Sequence, residues 1–177
     1  MTTFLARVTG AALLSPAIYE EVEADRSATM QAAGVVALSS LAAGVGALGV
    51  LSARPMAFAT ISLLAFAVWG VWALLTLQIG IRILPAPRTQ ADLGQLLRTI
   101  GFATAPGILR IAGVIPGTTT VVFAVTAIWM LMAMIVAVRQ ALDYTSTARA
   151  FAVCAMGWVL AIGMVIGIGL FWSPPLH

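Results

Sequence analysis

Lysine is absent from the sequence, and histidine and cysteine occur once each, as His177 and Cys154. A single cysteine excludes an internal disulfide and leaves the redox compartment open. Its default role within an apolar run is that of a small buried side chain. One histidine with scattered carboxylates gives none of the usual ligand spacings, so no metal site is expected. Charge is scarce as well: Asp, Glu, Lys and Arg make up 8% of the 177 residues, against 62% apolar. Soluble domains carry roughly one quarter charged residues, so this composition excludes an ordinary water-soluble globule.

Catalytic constellations are missing too. No nucleophile, base and orienting group occur in recognisable context, and no glycine-rich phosphate loop follows a strand. His177 lies at the terminus, so the chain is expected to be a non-enzyme that needs no cofactor. The net charge of +3, without basic patches interleaved with aromatics on a soluble surface, gives no case for nucleic-acid binding.

What the sequence does have is long apolar runs. The stretches 27–53, 55–81, 111–138 and 150–177 carry no Asp, Glu, Lys or Arg, and each exceeds the roughly 20 residues that cross a hydrocarbon core. A fifth span, over about 99–115, is near the lower length limit and is interrupted by Arg110. It also contains Pro106 and glycines 101, 107 and 113. Such breakers are tolerated in a membrane when neighbouring groups satisfy the freed backbone, so this span reads as short, kinked and internally packed, the alternative being a re-entrant or interfacial segment.

The expected fold is therefore an all-α, polytopic transmembrane bundle in a single domain over 1–177. Its spans are placed at about 28–52, 56–82, 99–115, 118–140 and 149–172. With five spans and a cytoplasmic N-terminus, arginines 7, 26, 82, 88, 98, 139 and 149 fall inside and Arg54 and Arg110 outside, a positive-inside distribution. The C-terminus then lies outside. Residues 1–26 form a cytoplasmic or interfacial segment with no removable signal pattern, and the chain is expected to begin near Met1.

Short amphipathic helices accompany the spans. Phe4, Leu5 and Val8 share a helical face, with Arg7 available for headgroups. Ser15 and Pro16 suit the N-cap and first position of a second helix through Tyr19 and Glu23. Thr89 and Asp92 give a helix-start signal before Leu93, Leu96, Leu97 and Ile100, which repeat at helical spacing.

Three polar clusters are expected on the cytoplasmic face. One is the acidic segment 19–26, with Glu20, Glu21, Glu23 and Asp25. The second begins at Arg98 and runs to the helix break at Gly101 and Pro106. The third holds Arg139, Gln140, Asp143 and Arg149, with Arg139 and Asp143 four apart and so on one helical face. The acidic segment is expected to fold back against arginines 98, 139 and 149. An all-arginine belt suits anionic lipid headgroups, although a coding bias gives the same composition. Arg110 is the candidate functional charge at membrane depth, unless it snorkels to the outer interface. Gly163 and Gly167 form a GxxxG pair suited to packing within the bundle or to dimerisation. Trp69, Trp72, Trp129, Trp158 and Trp172 read as interface anchors or packing groups.

With these residues in view, the chain resembles the bacterial branch of the Yip membrane proteins. The likeness rests on the acidic segment 19–25 followed by Gln31 and Ala32, on Gly101-Phe102-Ala103-x-Ala105-Pro106, and on Ala137-Val138-Arg139-Gln140-Ala141-Leu142. It covers nearly the whole chain but lacks the long polar N-terminal region of eukaryotic members, so their binding of Rab-type GTPases is not carried over. The resemblance implies five spans and a bacterial cytoplasmic membrane. The expected function is that of a scaffold or adaptor organising lipids or other membrane proteins, the alternatives being a small-solute or ion transporter or an accessory subunit.

Overall fold

A computed structural model describes residues 3–47, 55–85 and 91–172, with side-chain surroundings for 3–47, 66–85 and 91–160. The described residues are helical and include no strand. Among the described residues three helices are long and apolar enough to cross a membrane, Ala28–Gly46, Phe66–Ile83 and Thr119–Ala141. The described residues thus form a helical bundle of the kind that is embedded in a membrane.

Helix α1 (Phe4–Ala12) and helix α2 (Pro16–Ala24) form an antiparallel hairpin. Proline occupies the first turn of α2 behind Ser15, as expected, but the Ser15 side chain makes no capping bond. The turn between them is a Schellman closure. Leu14 adopts a left-handed φ of 62°, and the Ser15 and Leu14 amides donate to the Gly10 and Ala11 carbonyls, both at 3.0 Å.

Helix α3 (Ala28–Gly46) is followed by α4 (Pro55–Gln78), which continues into a π turn at Ile79–Ile83. Helix α5 (Leu93–Phe102) begins at a capping box: the Gln95 amide donates to Asp92 Oδ1 at 2.8 Å, and the Asp92 amide to Gln95 Oε1 at 2.7 Å. Asp92 with Gln95 therefore starts this helix; Thr89, the expected start, lies outside the described residues, as do Arg54, Arg88 and His177.

The stretch expected as one short span, 99–115, is divided. Pro106 has no amide hydrogen and its ring would clash with the carbonyl four residues back, and α5 accordingly ends at Phe102. After Ala103 and Thr104 the chain winds as a 3-10 helix, Ala105–Val114. Ten residues are a long 3-10 run, and its tight section suits the close approach to α3. A Cβ at Gly101 would crowd Ala32, one at Gly107 would overlap Ser39, and one at Gly46 would overlap the Arg110 carbonyl. Ala32, Ser39 and Gly46 are seven apart, so α3 presents one small residue per two turns to this partner. At about 2.0 Å per residue the 3-10 helix adds roughly 20 Å to the roughly 15 Å of α5, which extends the segment alongside the whole of α3.

Helix α6 (Thr119–Ala141) returns antiparallel, and α7 (Thr147–Trp172) packs against it and α4. One buried cluster joins Ala11, Tyr19, Val22, Ala32, Phe102, Ala133 and Ala137. A second joins Ala73, Ile79, Leu96, Ile100, Leu142, Tyr144 and Cys154. Outward residues of α6 are apolar, with Val121, Val125 and Ile128 exposed, as on a helix that faces hydrocarbon.

Helix α5 buries Leu96 and Ile100 together with Arg98, Thr99, Gly101 and Phe102, because α2, α3, α4 and α6 enclose it, while Leu93 at its start is exposed. The expectation for α1 is corrected. In α1, Phe4 and Val8 pack inward while Leu5 is exposed, and Arg7 is buried rather than free for headgroups.

Candidate functional site

One end of the bundle gathers polar groups that are far apart in sequence. Arg7, 2% exposed, is the centre of the first group. Its Nη2 lies 2.8 Å from both Glu21 Oε1 and Asp25 Oδ2. Its Nε and Nη1 donate at 3.1 Å to Glu21 Oε1 and Gln31 Oε1. The Asp25 Oδ1 atom accepts from the Ser27 amide at 2.9 Å and hydroxyl at 2.6 Å, closing the turn from α2 to α3. These bonds, with Ser27 first and Arg7 next, hold the Asp25 carboxyl down at about 2.

Arg98 is also buried, and its partners are carbonyls. Its Nε donates to Val22 O at 3.0 Å and Glu23 O at 3.1 Å, and its Nη2 bonds Glu23 O as well. A guanidinium thus closes the C-terminus of α2, where carbonyls lack helical donors and the helix dipole favours a cation.

Glu20 reaches the far side of the same end, accepting from Gln140 Nε2 at 2.9 Å. Between α2 and the end of α6 lies an open cleft of about 280 Å³ lined by Glu20, Glu23, Arg139, Gln140, Asp143, Tyr144 and Thr145. Partial burial there, with Asp143 nearby, pushes the Glu23 carboxyl up to about 7, although Arg98 opposes the shift.

Arg139 and Asp143 do not share a helical face, contrary to their spacing. Helix α6 ends at Ala141, and Asp143 takes a left-handed φ of 52°. The Tyr144 amide donates to Arg139 O and the Asp143 amide to Gln140 O, both at 2.9 Å, a second Schellman closure. Arg139 donates instead to Tyr144 O and Thr147 Oγ1, both at 3.2 Å. The turn is fastened to the end of α4: the Tyr144 hydroxyl donates to Leu84 O at 2.7 Å and lies 3.4 Å from Gly80 O. Arg149 donates to Pro85 O at 3.3 Å and lies 5.7 Å above the Tyr144 ring.

The structure therefore brings the expected cluster to one end but divides its pairing. Glu21 and Asp25 go to Arg7, Glu20 to Gln140, Arg98 and Arg149 to carbonyls, and Arg139 to a carbonyl and the Thr147 hydroxyl. Arg7 was not expected as the organising cation; its only sequence signal is an arginine between apolar residues on a short helix. Arg110 lies at the opposite end, its Nε donating to Thr126 Oγ1 at 3.2 Å and its guanidinium 5.3 Å from the Phe123 ring centre. Of the tryptophans, Trp69 donates to Leu97 O at 3.1 Å and Trp129 to Ala12 O at 2.7 Å, while Trp72 and Trp158 meet edge to face. Gly163 and Gly167 lie outside the residues whose surroundings are described.

Among the described residues no three metal-ligating side chains converge. Comparison with protein-family models, curated proteins and solved structures finds no match for the chain.

Proposed function

We propose that the chain is a five-span, non-enzymatic membrane scaffold or adaptor of the bacterial Yip type, which engages protein partners or lipid headgroups through its cytoplasmic face. The observation that carries this reading is the cleft between α2 and the end of α6. It joins three carboxylates, Arg139 and Gln140 on a molecule whose outward surface is otherwise largely apolar. A concave site with both charge signs suits charged groups of a partner, since complementary charge sets register and specificity.

Five spans are supported by the alignment of α5 and the 3-10 helix with α3, from Ala32 beside Gly101 to Gly46 beside Arg110, and by the 26-residue length of α7. The cytoplasmic assignment of the cleft follows from arginines 98, 139 and 149 at that end under the positive-inside rule.

A photo-crosslinking residue at exposed Thr145 tests the proposal in native membranes. The expected result is a discrete protein or lipid-headgroup adduct that falls severalfold in Glu23→Gln and Asp143→Asn variants of normal abundance. An adduct pattern unchanged by both variants overturns the cleft as the docking face.

A further inference from the structure

The carbonyls at the C-terminus of α1 carry an unusual degree of satisfaction. The last four carbonyls of a helix have no partners within it, and at a water-exposed end solvent supplies them. Here the Leu13 amide donates to Thr9 O at 2.9 Å, the Ser15 amide to Gly10 O and the Leu14 amide to Ala11 O, both at 3.0 Å. The Tyr19 hydroxyl adds a second bond to Ala11 O at 3.1 Å. The last carbonyl, Ala12 O, accepts from Trp129 Nε1 at 2.7 Å, across 117 positions of sequence. Complete pairing of a helix end is what a solvent without donors demands.

The donor also fixes the depth. Trp129 lies 11 residues along α6 from Gln140, which bonds Glu20 at the polar end, or roughly 16 Å at helical rise. Ala11 shares a buried cluster with Ala105 and Ala133, well inside the bundle. Along α2 the stretch from Pro16 to Glu23 returns the chain roughly 10 Å to the polar end.

The outward surface matches that position. On α1 the exposed residues are Leu5, Ala6 and Thr9, and Leu13 follows at 76% exposure. None is ionisable, and the Thr9 hydroxyl is turned back onto Leu5 O at 2.9 Å and Ala6 O at 3.1 Å. The one charge of α1, Arg7, is carried in already neutralised by Glu21 and Asp25. An apolar face of this kind, beside a spanning helix, suits lipid acyl chains.

We infer that residues 3–25 form a re-entrant helical hairpin that enters the inner leaflet beside α6, with Leu13 and Leu14 at its tip against lipid acyl chains. The inference rests on the membrane-spanning reading of α6. The hairpin enters and leaves on the same face, with the Arg7 cluster as its closed base.

Spin labels on the full chain, in a Cys154→Ala background, distinguish the two readings. Labels at Leu13, at Ile128 on the outward face of α6 and at Thr145 in the polar turn are compared in vesicles of phosphatidylcholine and phosphatidylglycerol. The expected result is that the Leu13 label resembles Ile128, open to oxygen and severalfold less accessible than Thr145 to a water-soluble nickel chelate. A Leu13 label as accessible to the chelate as Thr145, with Ile128 shielded, overturns the hairpin and leaves the spanning bundle standing. If Ile128 is itself as accessible as Thr145, the spanning reading fails and the hairpin with it.

Discussion

Arg7 and Glu21 are joined twice, Nε and Nη2 of the guanidinium both pointing at the Oε1 atom, at 3.1 and 2.8 Å. With Asp25 and Gln31 on its remaining edges, this arginine ties α1 to the end of α2 and the start of α3. Removing one member of a buried pair leaves the other uncompensated, at a cost of about 3–5 kcal/mol. Arg7→Met should therefore lower the detergent melting temperature sharply. Adding Glu21→Gln should recover part of the loss, and a strictly additive double mutant would show that the two side chains are not coupled.

Arg98 stabilises α2 through carbonyls, so the geometry of its donors matters more than its charge. Arg98→Lys keeps the cation but cannot reproduce bonding from both Nε and Nη2. We expect it to lose about 1–3 kcal/mol, with hydrogen exchange at the C-terminal amides of α2 accelerating before that of α6. Full retention of stability by lysine would indicate that charge alone suffices.

Close packing of α3 on the 3-10 helix predicts opposite outcomes for two glycines of one helix. A Cβ at Gly34 meets nothing within 4 Å, and Gly34→Ala should be neutral or stabilising by up to about 1 kcal/mol. Gly46→Ala places its methyl on the Arg110 carbonyl, a backbone atom that cannot rotate aside. It should cost about 1–3 kcal/mol, read as a fall in the melting temperature of purified protein.

Glu23 should impose a pH dependence. Its folded value of about 7 lies above the ordinary 4.5, so its contribution to stability is complete below about 4.5 and is lost as pH rises through about 7. With a carboxyl that is half exposed, the loss should be about 1 kcal/mol after allowance for screening. Glu23→Gln should flatten this decline in a thermal-shift series. An equal decline in the variant would assign it to another group.

Topology is open to direct measurement. A reporter fused after His177 should signal the non-cytoplasmic side and one inserted near Gln90 the cytoplasm, since the five-span arrangement places an odd number of crossings between N-terminus and C-terminus. Both reporters on one side would reject that arrangement.

Local features were the most legible. Pro16 marked the first turn of α2, Leu96 and Ile100 marked the buried face of α5, and Pro106 marked the break in the third segment. Each acts through its own stretch of backbone. The 3-10 winding after Pro106 was not legible, because it reflects the proximity of α3 as much as the local residues. Nor was the left-handed Asp143, which breaks the helical relation to Arg139 without a glycine to announce it. Partner choice was least accessible. Segment 20–25 offered four candidate carboxylates to several arginines elsewhere in the chain, and only the fold shows that Arg7 takes two of the acids while Arg98 takes carbonyls.

The π turn at Ile79–Ile83 makes the exact length of one connection matter. A π turn carries one more residue than an α turn, an insertion absorbed without a loop. A further residue inserted there would have no second wide turn to absorb it and would rotate the following chain by about 100°. The Leu84 carbonyl would swing away from the Tyr144 hydroxyl, and the Pro85 carbonyl from Arg149. This segment should therefore tolerate changes of side chain more readily than any change in the number of residues.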